Sequence, residues 1–134
     1  MILLADVGNS RIKWAIFDAG GFQQRGQAGH GEGSWVDLLE DQWLELIRPT
    51  RVLIVSVTGS ETRAALTHWI RRAWGIEAEF VVSTAAACGI RNSYAEPERM
   101  GADRWVAMIA AHALIGQGCY IVDCGTAVTI DALT

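Results

Sequence analysis

An α/β domain built on a mixed five-stranded sheet is the fold this sequence predicts, and three observations predict it. Two apolar runs near the N-terminus, Ile2–Asp6 and Arg11–Asp18, flank the small polar cluster Gly8-Asn9-Ser10, which reads as a hairpin turn. Two stretches with helical apolar spacing follow, and each leads into a short apolar run of strand character. The resulting order, β-β-β-α-β-α-β, combines antiparallel hairpins with parallel crossovers in one sheet flanked by helices.

Taken in order, Gly20-Gly21 turns the first hairpin into a third strand, Phe22–Ala28, and Gly29-His30-Gly31-Glu32-Gly33 is a loop. His30 has no His or Cys neighbour in sequence, so it reads as a solvated loop residue rather than a metal ligand. Ser34 with Asp37 resembles an N-cap and its N3 acid, and Trp35, Leu39, Trp43, Leu46 and Ile47 keep helical spacing up to Pro49. Arg51–Val57 is a β-branched run, read as a buried strand. Thr58-Gly59-Ser60 starts a second helix with the stripe Leu66, Trp69, Ile70 and Ala73; His68 lies off that stripe, and Gly75 ends it. Glu79–Ser83 is a short strand, and Thr84–Ile90 is a small-residue segment with no assigned state. A third helix opens at Pro97, has the stripe Val106, Ile109, Ala113 and Leu114, and stops at Gly116. Gly118–Thr134 forms a last hairpin.

The 134 residues suffice for a sizeable core, and 51% hydrophobic with 19% charged residues describes a globular chain. A net charge of −4 with no basic run argues against a nucleic-acid surface. Cys88, Cys119 and Cys124 form no C-x-x-C pair, so neither a disulfide framework nor a zinc site is indicated, and a reducing compartment such as the cytoplasm fits. No apolar stretch approaches the length needed to span a bilayer, and no signal peptide is evident. Most of the six tryptophans are expected in the core or at an interface.

The chemistry is concentrated in three places. In Asp6-Val7-Gly8-Asn9-Ser10-Arg11-Ile12-Lys13, Gly8 permits positive φ and close approach of a ligand, and the turn amides can converge on an anion. Asp6 is placed to hold a hydrated divalent metal, and Lys13 to supply a point charge to a phosphate. The same residues also suit an ordinary hairpin turn. Val122-Asp123-Cys124-Gly125-Thr126-Ala127-Val128-Thr129-Ile130 repeats the pattern, which suggests two related halves facing one ligand. Between them, Asp103 and Arg104 fall near the start of the third helix. One reading is dipole complementation and a surface ion pair. The other has Arg104 gripping a substrate carboxylate while Asp103 accepts a hydroxyl proton.

Asp6 through Lys13, then Gly101-Ala102-Asp103-Arg104 preceded by Tyr94 and Pro97, then Asp123 through Asp131, together resemble a type III pantothenate kinase. That group is Bvg-accessory-factor-like and lies within the actin, sugar kinase and Hsp70 superfamily. The resemblance implies a ribonuclease H-like, actin-like ATPase domain over 1–116 and the first hairpin of a second, similar domain over 117–134. It implies ATP-dependent phosphorylation of pantothenate to 4′-phosphopantothenate, the first step of coenzyme A biosynthesis, by a homodimer. Asp6, Val7, Gly8, Asn9, Ser10, Arg11, Ile12, Lys13 and Thr126 would contact ATP, with Asp6 positioning Mg²⁺. Tyr94, Gly101, Ala102, Asp103 and Arg104 would line the pantothenate site, with Asp103 as the catalytic base. Asp123 would help bind a monovalent cation, K⁺ or NH₄⁺.

Chains of this family are longer, so the ribbon Gly118–Thr134 is expected to pack on the first domain or to pair with another chain. A dimer or larger assembly that binds ATP weakly is the corresponding expectation for these 134 residues. A non-catalytic regulatory or interaction protein derived from the family is the alternative. A sugar kinase of the same superfamily is a third reading, which Arg104 disfavours because a guanidinium suits a carboxylate better than a neutral sugar.

Overall fold

Strand β1 (Ile2–Val7) pairs antiparallel with β2 (Arg11–Asp18) on one side and parallel with β4 (Arg51–Ser56) on the other. With β3 (Gly21–Gly29) beyond β2, and β5 (Ala78–Phe80) beyond β4, the order is β3-β2-β1-β4-β5. This is the mixed five-stranded sheet that the element order predicts. The structure is a computed structural model that describes residues 1–134. It divides into two compact units, Met1–Val81 and Val82–Thr134.

In the first unit, strand alternation sends Leu3, Ala5, Val7, Ile12, Trp14, Ile16, Val52 and Ile54 into one core. Helices α1 (Trp35–Trp43) and α2 (Ser60–Trp74) close that core with Leu39, Trp43, Leu66, Trp69, Ile70 and Trp74. Four tryptophans meet there. Trp43 stacks on Trp74 with ring centroids 5.9 Å apart and meets Trp14 and Trp69 edge-on at 6.2 and 6.0 Å. The buried Trp43 Nε1–H finds no acceptor. Such an orphan costs about 1–3 kcal/mol, which the surrounding ring contacts offset.

Ser34 caps α1 as its sequence predicts, its Oγ accepting from Asp37 N–H at 3.1 Å. The helix ends at Trp43 rather than continuing toward Pro49. Leu44 and Ile47 are about half exposed, so they give a longer helix no core to bury, and Pro49 disfavours helix at the preceding residue. The chain turns instead, with Leu46 N–H donating to Trp43 O at 3.1 Å. That turn brings the Arg48 guanidinium onto the Trp74 carbonyl at the end of α2. On α2 the buried face runs through Trp74, while Ala73 of the expected stripe is exposed. His68 is exposed as its position predicts. Gly75 stops the helix at φ +68°, its N–H donating to Arg71 O at 2.9 Å. Strand β5 begins and ends earlier than the Glu79–Ser83 reading, although Val81 N–H still reaches Ile54 O at 2.8 Å.

In the second unit, the unassigned segment forms a miniature hairpin, β6 (Ala86–Ala87) with β7 (Ile90–Arg91). Its turn, Cys88-Gly89, has positive φ at both residues, +50° and +86°. Pro97–Arg99 is a single 3₁₀ turn, and the α-helix, α3 (Ala102–Ile115), starts only after extended Gly101. Its buried face is Trp105 and Met108, with Ile109 alongside, packed with Ile90 and Met100. The expected stripe is therefore rotated: Ala113 is exposed, and so is Leu114, at 87%. Strands β8 (Cys119–Cys124) and β9 (Val128–Leu133) form the last hairpin, and Ile121 and Leu133 pack toward the same cluster. The opposite face of the ribbon exposes Tyr120, Val122, Val128 and Ile130. Helix α3 and this hairpin belong to the same compact unit.

Candidate functional site

The Asp6–Lys13 segment is the β1–β2 hairpin, closed by Gly8 N–H donating to Arg11 O at 2.9 Å. Asp6 stands in register with Lys13, and both side chains are exposed on the face opposite the helices. Val7 and Ile12 are fully buried in the core, so toward a ligand they offer only backbone. Arg11 extends across the sheet and donates to Gln27 Oε1 at 3.1 Å. Gly8 does not adopt positive φ, and a Cβ there would meet only Arg11 O at 3.5 Å. The reading of a left-handed turn residue is thus corrected; the missing side chain keeps the backbone approachable. One carboxylate beside one lysine, in a chain with no cluster of three or more metal-binding side chains, suits Mg²⁺ carried on phosphates better than an all-protein metal cage.

His30 corrects the solvated-loop reading. Its Nε2 lies 2.6 Å from Gly8 O, and its ring packs on Trp35 at 4.7 Å between centroids. Its backbone N–H also donates to Ser10 O at 2.9 Å. The contacts to Gly8 and Ser10 follow from the Arg11–Gly29 register of β2 and β3, which carries His30, the residue after β3, alongside the turn.

The second Asp-x-Gly turn repeats the first in sequence but not in register. Gly125 N–H closes on Ala127 O at 3.0 Å, two residues on, whereas Gly8 closes three residues on. Asp123 consequently faces Thr129 across the ribbon, while Asp6 faces Lys13. Asp123 and Thr126 are both exposed. The paired carboxylate and threonine are oxygen donors of the type an alkali cation takes.

Around α3 the structure brings Tyr94, Arg104 and Asp131 together. Arg104 donates from Nε to Asp131 Oδ2 at 3.0 Å, from Nη2 to Asp131 Oδ1, and from Nη1 to the Tyr94 hydroxyl at 3.0 Å. The hydrogen bonding of Arg104 to Asp131 holds the guanidinium pKa above its ordinary value, against the opposing effect of partial burial and with a smaller contribution from Tyr94. Tyr94 is itself fixed: Asn92 Oδ1 accepts from Tyr94 N–H at 3.0 Å, and Asn92 Nδ2 donates to Pro97 O at 3.1 Å. Asp103, in the first turn of α3, folds its carboxylate back over Gly101. A Cβ on Gly101 would stand 2.7 Å from Asp103 Oδ1, so the glycine leaves room for the carboxylate in this position. Ala102 opens the helix and is half-buried.

Sequence reasoning missed His30, Asn92 and Asp131 as partners of these groups. A period-2 reading of Thr129 and Asp131 would have put Asp131 on the half-buried face of β9. No comparable signal marks Asn92.

The profile of the family described as type III pantothenate kinase matches residues 2–134. Similar chains include the type III pantothenate kinase of Nitrosospira multiformis, 37% identical over 134 residues, which are 100% of this chain and 50% of that protein. Those of Halorhodospira halophila and Polaromonas sp. are 38% and 40% identical, covering 99% and 98% of this chain and 54% of each relative. The chain spans about half the length of the curated relatives it matches. Matched by the family's profile along almost its whole length, the chain belongs to the type III pantothenate kinase family.

Proposed function

We propose that this chain supplies phosphate-binding and pantothenate-binding elements of a kinase that transfers the γ-phosphoryl group of ATP to the primary alcohol of pantothenate. The product is 4′-phosphopantothenate, and the step opens coenzyme A synthesis in the cytoplasm. The turn amides of Asn9 and Ser10, with Lys13, receive ATP phosphates, Gly8 lets them approach the backbone, and Thr126 contributes a further contact. Asp6 holds Mg²⁺, which neutralises phosphate charge when bound, and Asp123 takes K⁺ or NH₄⁺. Asp103 accepts the hydroxyl proton as the alcohol oxygen bonds to the γ-phosphorus and the bond to ADP breaks. Arg104 receives the pantothenate carboxylate beside Tyr94, and Gly101 and Ala102 shape the approach. In this reading residues 1–116 form a ribonuclease H-like, actin-like domain, 117–134 begin a second one, and the enzyme is a homodimer.

The observation that carries the reading is the start of α3: a carboxylate placed over Gly101, next to a guanidinium oriented by Asp131 and Tyr94. Positioning of this kind is most of what phosphoryl transfer asks of a protein. A non-catalytic protein of the same family is favoured by one feature of the same cluster, the engagement of Arg104 by an internal carboxylate. Following ADP release with Mg·ATP in the presence and absence of pantothenate separates the two. Pantothenate-dependent turnover supports the kinase, and none at any pantothenate concentration supports the non-catalytic reading.

A further inference from the structure

We infer that His30 is a positioning residue for the Asp6–Lys13 turn, aiming the Asn9 backbone N–H at the phosphate of a bound nucleotide. The inference rests on the proposal that this turn binds ATP phosphates. A carbonyl oxygen only accepts, so the 2.6 Å contact to Gly8 O requires a proton on His30 Nε2. The Gly8–Asn9 peptide is trans, as are all the others. Fixing the Gly8 carbonyl toward His30 therefore points the Asn9 N–H in the opposite direction, away from His30, within the same peptide plane. His30 also donates its own N–H to Ser10 O at 2.9 Å, so one residue holds two carbonyls of a single turn. Without these bonds, a turn containing Gly8 can rotate its peptide planes at little cost, and the amides lose their common direction.

His30 is held in turn. Trp35 packs against its ring at 4.7 Å, and Trp35 is the first residue of α1, whose N-terminus Ser34 caps. Gly31 and Gly33, at φ +127° and +87°, carry the chain from His30 into that helix through conformations a side chain resists. The loop thus ties the turn to a rigid element rather than leaving it as a free hairpin tip.

Two measurements on the whole 134-residue chain test this. Long-range ¹H–¹⁵N spectra of the imidazole at pH 8 report its tautomer without nucleotide. The Nε2–H form is expected; the Nδ1–H form overturns the inference whatever becomes of ATP. Backbone amide spectra titrated with Mg·ATP are then compared for the parent, His30→Gln and His30→Leu. Glutamine puts an N–H donor near the place of Nε2, so its affinity and its Asn9 shift should stay close to the parent's. Leucine should weaken Mg·ATP about tenfold, the scale of one lost hydrogen bond, and diminish the Asn9 shift. Equal affinity and equal Asn9 shifts in all three overturn the positioning role alone. No shift of Gly8 through Lys13 in the parent overturns the ATP assignment, and the positioning role falls with it.

Discussion

Asp131 holds Arg104 by two parallel bonds, to Nε and Nη2, while Tyr94 takes Nη1. The pair is mostly sheltered, with side-chain exposures of 27% and 12%. Its net charge is zero, so in the proposed pantothenate site a carboxylate would meet the edge that Asp131 leaves open rather than an uncompensated cation. Orientation, more than charge, is what this arginine then contributes.

Arg104→Lys should accordingly raise the KM for pantothenate about tenfold or more and leave the KM for ATP within a few-fold, because an ammonium cannot serve Asp131, Tyr94 and a ligand in one plane. Asp131→Ala should act in the same direction. It should also cost about 1–2 kcal/mol of stability, between the values for exposed and buried pairs. Steady-state kinetics in a full-length family member and urea unfolding of this chain measure the two effects. Pantothenol, which lacks the carboxylate, should be a poor substrate; turnover equal to that of pantothenate would remove Arg104 from the site.

Asp103→Asn should lower kcat by about 10²–10⁴-fold, the range of a positioned base, with nucleotide binding retained. The structure adds a second lever. Gly101→Ala places a methyl 2.7 Å from Asp103 Oδ1, and the carboxylate, at the end of a flexible side chain, can swing aside. The expected result is a loss of kcat with little change in unfolding midpoint. Turnover within a few-fold of the parent in both variants would return Asp103 to a helix-dipole role.

What was legible in the sequence was what local chemistry decides. Ser34 before Trp35, Gly75 after Trp74 and Gly116 after Ile115 marked helix ends because caps depend on neighbouring residues. The strands of the sheet followed from apolar and β-branched runs bounded by turn residues, such as Ile2–Asp6 and Arg51–Val57. The face of α3 was misread because Trp105 and Met108 compete with Val106 and Ala113 for burial, and only the packing of Ile90 and Met100 decides between them. His30 and Asp131 were missed for a related reason. Each acts on a residue more than twenty positions away, and the strand register that joins them is a tertiary fact.

Two exposed ion pairs set an acid dependence. The carboxyls of Glu77 and Glu79 are held below their ordinary value of 4.5, first by hydrogen bonds from Arg71 and Arg51 respectively. A carboxylate with a lowered folded-state pKa contributes stability above its unfolded value, and that contribution disappears as pH falls through the folded value. The Glu77→Gln/Glu79→Gln variant should therefore be slightly less stable than the parent at pH 7 and converge with it well below pH 4.5. Urea midpoints across pH check this, and high salt at pH 7 should shrink the difference. A gap that persists in acid would mean that packing by the side-chain stems, not charge, is responsible.

The last prediction concerns Gly26, which lies opposite Trp14 in the β2–β3 register. A Cβ at this position would come within 2.2 Å of Trp14 Cζ2 and 2.6 Å of Cε2. The indole cannot yield cheaply, because it is buried and meets Trp43 edge-on, and Trp43 is itself stacked on Trp74. Gly26→Ala should then cost about 3 kcal/mol, at the upper end of overpacking effects, even though alanine normally improves on glycine in a strand. Trp14→Phe removes the part of the ring that the methyl strikes. In the double variant the alanine should therefore cost markedly less than it does opposite tryptophan, a favourable coupling of about 1 kcal/mol or more for residues in direct contact. Chemical denaturation of the parent, both single variants and the double completes the cycle. A Gly26→Ala chain within about 0.5 kcal/mol of the parent would show that the tryptophan cluster has room to shift.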